Sequence, residues 1–375
     1  MAGIYLHIPF CKSRCIYCDF YSTLKTNSIE SYITTLSEEL KQRKDYLQDP
    51  IETIYLGGGT PSLLSYEQLE LLFKNLDKHY NLSAVKEVTL EANPDDLTQD
   101  YLNELKKLPI NRLSIGIQSF HDNHLKKLHR RHTAQKAIEA VYKSQDVGFD
   151  NISIDLIYGL PNETLEEWKE DIQQAINLNI QHISAYHLIY EKSTPLFQLL
   201  TSGKIKEVNE ELSLDFFSLL IDELNGAGFE HYEISNFSKP SYQSQHNSSY
   251  WNGTHYLGCG PSAHSFNGTS REWNIASLTQ YIKGIKNQNR LFQTEHLDTT
   301  TQYNEYVITS IRRSKGADLK HIKKAFGVKY YNYILKYATP HIKNNTLEVK
   351  NDILKLTKDG IFISDGIMSD LLFII

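Results

Sequence analysis

From residue 1 to about residue 190, two rhythms of apolar residues alternate along the chain. Short runs rich in Ile, Val, Leu and Tyr occupy 4–8, 51–56, 87–91, 112–117, 152–157 and 182–189. Runs of this length and composition read as β-strands. Between them, 28–46, 66–79, 97–108, 134–147 and 165–178 space apolar residues three or four apart, with charges on the other face. That is the helical period. Repeated strand–helix units predict a parallel sheet with right-handed crossovers. The expected fold class is therefore α/β, as a partial (β/α)6 barrel of the TIM-like kind. In such barrels chemistry gathers at the C-terminal ends of the strands.

Beyond residue 200 the rhythm changes. A helix is predicted over 206–228 and a strand over 229–234. The stretch 235–275 is rich in Asn, Ser, Gly, His and aromatics and predicts a long loop, a kind of segment that is usually functional. Helices are expected over 302–313, 318–325 and 330–337, a short strand over 346–349, and a turn at Leu356-Thr-Lys-Asp-Gly360. Three units follow: a barrel over 1–235, a loop-rich connecting region over 236–299, and a mostly helical, winged-helix-like domain over 300–375.

Composition narrows the class. The chain has 375 residues, 40% hydrophobic and 22% charged, which suits a globular protein larger than one small core. Its formal net charge of −6 argues against nucleic acid or acidic lipid as partner. Lys315, Lys320, Lys323, Lys324, Lys329 and Lys336 raise a nucleic-acid reading of the last domain, but a solvated helical cap suits the acidic balance better. No leader-like or membrane-spanning run stands out, so the expectation is a cytoplasmic chain without an integral membrane segment. Any membrane contact would be peripheral, through a partner.

Three of the four cysteines fall in one loop after the first strand, Cys11-Lys-Ser-Arg-Cys15-Ile-Tyr-Cys18. Three thiolates can hold three irons of a cubic iron–sulfur cluster and leave the fourth iron open for a ligand. Zinc with His7 as fourth ligand is the alternative, although structural zinc sites usually use two separated ligand pairs. Cys259 stands alone and reads as a packed thiol. Gly57-Gly-Gly-Thr-Pro-Ser62 closes the second strand, and its glycines allow close approach of backbone N–H groups to a ligand. Ser62 is a candidate cap for the next helix. Glu91, Asn93, Gln118, Ser119 and Asp155 sit at or near later strand ends and suggest a polar ring around a ligand. Arg130 and Arg131 suit either a carboxylate ligand or a solvated helix end. In His246-Asn-Ser-Ser-Tyr-Trp251 a histidine can supply an axial nitrogen to heme iron, and the aromatics can stack on a macrocycle. Anchoring of the loop to the barrel explains the same residues, and His255 and His264 lie close by in sequence.

These motifs together resemble a known family. Cys11-x3-Cys15-x2-Cys18 is similar to the radical S-adenosylmethionine (SAM) signature, and Gly57-Gly-Gly-Thr-Pro61 to its glycine-rich motif. Tyr5-Leu-His-Ile-Pro-Phe-Cys11, Arg112-Leu-Ser-Ile-Gly-Ile-Gln-Ser-Phe120 and Asp155-Leu-Ile-Tyr-Gly-Leu-Pro161 resemble the HemN/HemW group, the oxygen-independent coproporphyrinogen III oxidases and their heme-chaperone relatives. The resemblance implies a [4Fe–4S] cluster on Cys11, Cys15 and Cys18. It implies SAM beside Tyr5, Tyr17, Gly58, Gly59, Thr60, Glu91, Gln118, Arg130 and Asp155. The oxidases of the group carry a further cysteine two residues after the third, where this chain has Phe20. His246-Asn-x-x-Tyr-Trp251 resembles a motif of the heme-chaperone branch, which implies heme binding through His246, Asn247, Tyr250 and Trp251. The implied partners are heme or a porphyrin and recipient apo-hemoproteins such as respiratory enzymes. A dimer is compatible with the resemblance, and catalysis is left open.

Overall fold

A computed structural model describes residues 1–374. Six parallel strands form its centre: β1 (Ala2–Ile8), β2 (Ile51–Gly58), β3 (Glu87–Ala92), β4 (Arg112–Gln118), β5 (Ile152–Tyr158) and β6 (His182–His187). Each pairs with its successor in parallel register. Helices Ile29–Gln42, Tyr66–His79, Gln99–Leu105, Ala134–Asp146 and Leu165–Asn177 fill the crossovers. Ser65 with Gln68, and Thr164 with Glu167, form reciprocal caps that start two of these helices. Their apolar stripes pack on strands buried on both faces, and one continuous core results.

The region 236–299 departs from the expected loop. After β7 (Glu230–Glu233) come β8 (Asn236–Ser238), the helix Gln245–Trp251, β9 (His255–Cys259), β10 (His264–Phe266), β11 (Ser270–Asn274), the helix Leu278–Lys286 and β12 (Phe292–His296). One twelve-stranded sheet runs β12-β11-β10-β9-β1-β2-β3-β4-β5-β6-β8-β7. β9 extends the parallel set on the far side of β1, and the flanking strands are antiparallel. These strands have three to five residues, and β12 is exposed throughout. So few positions, many of them polar, give too weak an alternation to read. A buried cluster anchors them to the barrel. Glu39 accepts from Gly260 N at 2.8 Å, Asn274 Nδ2 at 2.7 Å and Tyr281 Oη at 2.6 Å. Arg43 donates to Gly258 O at 2.7 Å and pairs with Glu272.

The C-terminal unit has its own core. Helices Thr299–Ile311, Leu319–Ala325 and Val328–Lys343 surround a small sheet of β13 (Ala317–Asp318), β14 (Leu347–Lys350) and β15 (Ile353–Leu356). The hairpin turn lies at Asn351 and Asp352, both with positive φ, and in place of the turn expected at 356–360 Thr357 caps a short helix, Lys358–Ile361. Asn and Asp tolerate the left-handed backbone that such two-residue turns require. Phe362 meets Phe217 edge to face at 5.7 Å, and Arg271 pairs with Glu305 at 2.9 Å, so the unit rests on the barrel. Among the described residues no helix is long and apolar enough to cross a membrane.

Candidate functional site

The cysteine loop leaves the C-terminal end of β1. Cys11 N donates to Thr23 O and Thr23 N to Pro9 O, at 3.0 and 2.7 Å, which closes the loop on itself. All three thiols are free and half-buried, and they line one cavity of about 600 Å³. Burial raises the Cys11 and Cys18 thiols above the usual range. Opposing this at Cys11, Thr60 Oγ1 lies 3.5 Å from its Sγ and favours the thiolate, the form that binds metal. Arg130 Nη1 lies 3.3 Å from Cys15 Sγ. Arg130 Nε is buried without a partner.

Among the described residues no three His, Cys, Asp or Glu side chains converge closely enough to cage one metal ion. Thiolates on separate irons of a cluster need no such convergence. The zinc alternative loses its fourth ligand, because His7 is spent. Its Nδ1 lies 3.1 Å from Tyr5 Oη and its Nε2 2.9 Å from Tyr21 O, and burial lowers its pKa to about 4. The donor set of three soft sulfurs therefore fits an iron–sulfur cluster.

Tyr17, Gly58, Gly59, Thr60, Glu91, Gln118, Arg130 and Asp155 line the same cavity. Tyr5 lies beneath it, its ring 6.1 Å from that of Tyr55. The glycines act differently from expectation. Gly58 N donates to Glu91 Oε2 at 3.0 Å and Gly59 N to Ile8 O at 2.8 Å, so these donors are used within the protein. Gly58 has φ 108°, and a β-carbon on Gly59 would lie 2.7 Å from Phe10 O. Close packing of β2 against the cysteine loop demands glycine at both positions.

Glu91 also accepts from Tyr55 Oη at 2.8 Å, and burial pushes its carboxyl up to about 7. Burial likewise raises Asp155, which accepts from Ser114 Oγ at 3.4 Å. Arg130 donates to Asn93 Oδ1 and Gly116 O, whereas Arg131 pairs with Asp95 at 2.9 Å and Asp96 at 3.1 Å. Arg131 is thus occupied by the protein's own carboxylates. Ser119 leaves the ring to donate to Asp171 at 2.7 Å. Ser62 does not cap the following helix but donates to Asp96 at 3.0 Å.

Sequence reading missed Tyr55, Ser114, Ser184, Tyr186 and His129, all of which line the cavity. A signal for the first four exists. Tyr55, Glu91/Asn93, Ser114/Gly116/Gln118, Asp155 and Ser184/Tyr186 mark alternate positions on successive strands, so one face of the sheet carries them inward.

The motif helix Gln245–Trp251 packs across β1 and β2. The Glu87 carboxylate receives its first N–H groups, from Gln245 and His246, both at 2.9 Å. Asn247 reaches the cavity. His246 does not present a nitrogen to it. The residue is 0% exposed, with Nδ1 2.8 Å from Thr53 Oγ1 and Nε2 2.9 Å from Tyr250 Oη. Its ring stacks on Tyr55 at 5.0 Å, and burial lowers its pKa to about 3. An axial bond to iron needs a free nitrogen, and in this conformation His246 has none. Trp251 lies under the Arg312 guanidinium at 4.7 Å, at the contact with the C-terminal unit. His255 pairs with Asp49 at 2.8 Å, and His264 stacks on Trp273 at 5.6 Å. Cys259 is fully buried.

Known proteins fit this geometry. The radical SAM superfamily profile matches residues 5–175. The chain is 32% identical over 369 residues to heme chaperone HemW of Lactococcus lactis, spanning 98% of this chain and 96% of that one. It is 34% identical over 331 residues to heme chaperone HemW of Bacillus subtilis, spanning 87% of each. The solved structure of coproporphyrinogen III oxidase (HemN) from Escherichia coli, a radical SAM enzyme, superposes with a TM-score of 0.85. It covers 99% of this chain and 90% of that one at 24% identity, a likeness of fold. Cysteine loop, glycine strand end and partial barrel, matched over almost the full length of these relatives, show that the chain belongs to the HemW family of HemN-like radical SAM proteins.

Proposed function

We propose that this chain is a heme carrier that holds a [4Fe–4S] cluster and SAM and passes heme to apo-hemoproteins. The observation that carries the reading is the near-full-length match to heme chaperones, joined to a half-buried trio of free thiols in one cavity. Cys11, Cys15 and Cys18 would hold the cluster, and Tyr17, Gly58, Gly59, Thr60, Glu91, Gln118, Arg130 and Asp155 would border SAM. When bound and reduced, such a cluster can supply an electron to the sulfonium of SAM.

The chain's own residues prepare the place. Arg130 holds positive charge against Cys15, Thr60 holds a hydroxyl at Cys11, and Glu91 fixes the turn after β2 through Gly58 N. Glu91 and Asp155 keep their protons more readily than ordinary carboxyls until a cation approaches. The motif helix supports β1 and β2 from below, and Asn247 brings it to the cavity. Heme binding is assigned to this end of the barrel, with His246 holding Tyr55 and Tyr250 in place. Work in the cytoplasm, with membrane enzymes reached through a partner, is part of the same proposal.

Hemin titration of the cluster-loaded protein tests it. A saturable Soret change is expected, followed by transfer to an apo-hemoprotein seen in the recipient's spectrum. Absence of any saturable change sinks the carrier reading. Anaerobic incubation with coproporphyrinogen III, SAM and reductant is expected to yield no protoporphyrinogen, and its formation would favour an oxidase instead.

A further inference from the structure

Two histidines line the cavity beside the cysteine loop, His129 and His187. His187 is engaged at both nitrogens, 3.0 Å from Leu188 O and 3.0 Å from Ser213 Oγ. The His129 side chain is exposed and makes no hydrogen bond or ion pair among the described residues. It directly precedes Arg130, whose guanidinium touches Cys15. Its backbone is left-handed, with φ 59°. A β-carbon there costs roughly 1–2 kcal/mol, which glycine would avoid. The left-handed turn closes the helix Asp122–Lys127, with His129 N on Lys126 O at 3.2 Å and Arg130 N on Leu125 O at 2.9 Å, and it sets Arg130 and His129 side by side at the cavity.

The neighbouring wall suits a flat, apolar macrocycle with acidic edges. Phe20 and Ile189, two of the more exposed apolar side chains at 68% and 66%, both line this one cavity. Arg14 also lines it, exposed and without a carboxylate partner among the described residues. Aromatic and branched side chains can cover a porphyrin face, a guanidinium fork fits a propionate, and an imidazole nitrogen fits iron.

We propose that His129, at the mouth of the cluster cavity, supplies the protein ligand to the iron of bound heme. Phe20 and Ile189 lie against the macrocycle and Arg14 receives a propionate. The proposal rests on the heme-carrier reading and deepens it. It gives His246 the part of a positioning residue, in keeping with its two occupied nitrogens. It also gives Phe20 a use at the place where the oxidases of the group carry a cysteine.

The test is hemin titration of the full-length, cluster-loaded protein and its H129G variant, read by Soret absorbance and by electron paramagnetic resonance of the ferric iron. Glycine relieves the left-handed backbone, so H129G is expected to melt at or above the wild-type temperature. Its hemin affinity should fall on the order of tenfold or more, the scale on which even outer-shell changes act at metal centres. The imidazole-ligated spectrum should vanish and return when free imidazole is added. H129G with wild-type affinity and spectrum overturns the proposal and leaves the carrier reading standing. Wild-type protein without saturable binding overturns the carrier reading, and His129 with it. R14Q should weaken binding with the spectrum unchanged, and unaltered affinity removes Arg14 from the site.

Discussion

Replacing His246 by alanine separates two roles for this histidine. The ring is fully buried, bonded to Thr53 and Tyr250 and stacked on Tyr55. Deleting it leaves two hydroxyls without partners, at about 1–3 kcal/mol each, and removes a stack worth about 0.5–1.5 kcal/mol. Tyr250 is only partly buried and can recover some bonding to water, so the net loss is about 3–5 kcal/mol. For a chain of 375 residues that corresponds to a fall in Tm on the order of 4–6 °C. H246N keeps a donor or acceptor near Thr53, and H246Q keeps one near Tyr250, so each should recover part of the loss. The pH dependence carries a second signature. The folded pKa of about 3 lies below the ordinary value of 6.5. As pH falls through 6.5 the unfolded chain takes up a proton that the folded chain refuses, so stability drops from there towards pH 3. At pH 5 about 2 kcal/mol should be gone, and H246Q should lack that term. Thermal melts at pH 5 and 7.5 on wild type and the three variants measure both effects. A H246A protein as stable as wild type, yet unable to bind hemin, would refute the buried placement and return the imidazole to the iron.

Glu91 should show the opposite pattern near neutrality. Its folded pKa of about 7 exceeds the ordinary 4.5, so this site's contribution falls as pH rises between those values and stays low above them. The span is about 3 kcal/mol, and urea titrations of E91Q against wild type at pH 5 and 8 should show it missing from the variant. Anaerobic reconstitution should load about four irons in wild type and in C259A, and markedly fewer in C15A, by iron and sulfide assay. Equal iron in all three would remove the cysteine loop from the metal site. E39A removes one of the two carboxylates at Arg43 and the shared acceptor of Gly260 N, Asn274 Nδ2 and Tyr281 Oη, so a loss of about 3–5 kcal/mol is expected in chemical denaturation. A loss below 1 kcal/mol would refute the anchoring role of that cluster.

The six central strands were readable because each is buried on both faces and bounded by a strongly periodic helix. The short outer strands β8 to β12 were not, since their order depends on partners far away in sequence rather than on local pattern. The site was legible where residue type dictates chemistry: three thiols in one loop, and polar residues at strand ends. Side-chain direction was not. Gln118 and Asp155 face the cavity while Ser119 turns to Asp171. His246 is the sharpest instance, because a motif cannot say which nitrogen is free. His129 offered no cue, as its value lies in an open wall of the cavity that only the fold creates.

The pairing of β1 with β9 has a consequence for how the protein is made. Ala2 stands beside His255 in the finished sheet. At a synthesis rate of about 5–20 residues per second, the N-terminal strand waits roughly 12–50 s for that neighbour. During this interval β1 is an open edge, and the thiols that follow it hang from an unfinished strand. Metal that arrives before β9 (His255–Cys259) is made meets the cysteine loop in this open state. Loading after release would meet a loop already braced from both sides, which makes the order of ribosomal synthesis and cluster delivery a property written into the strand order.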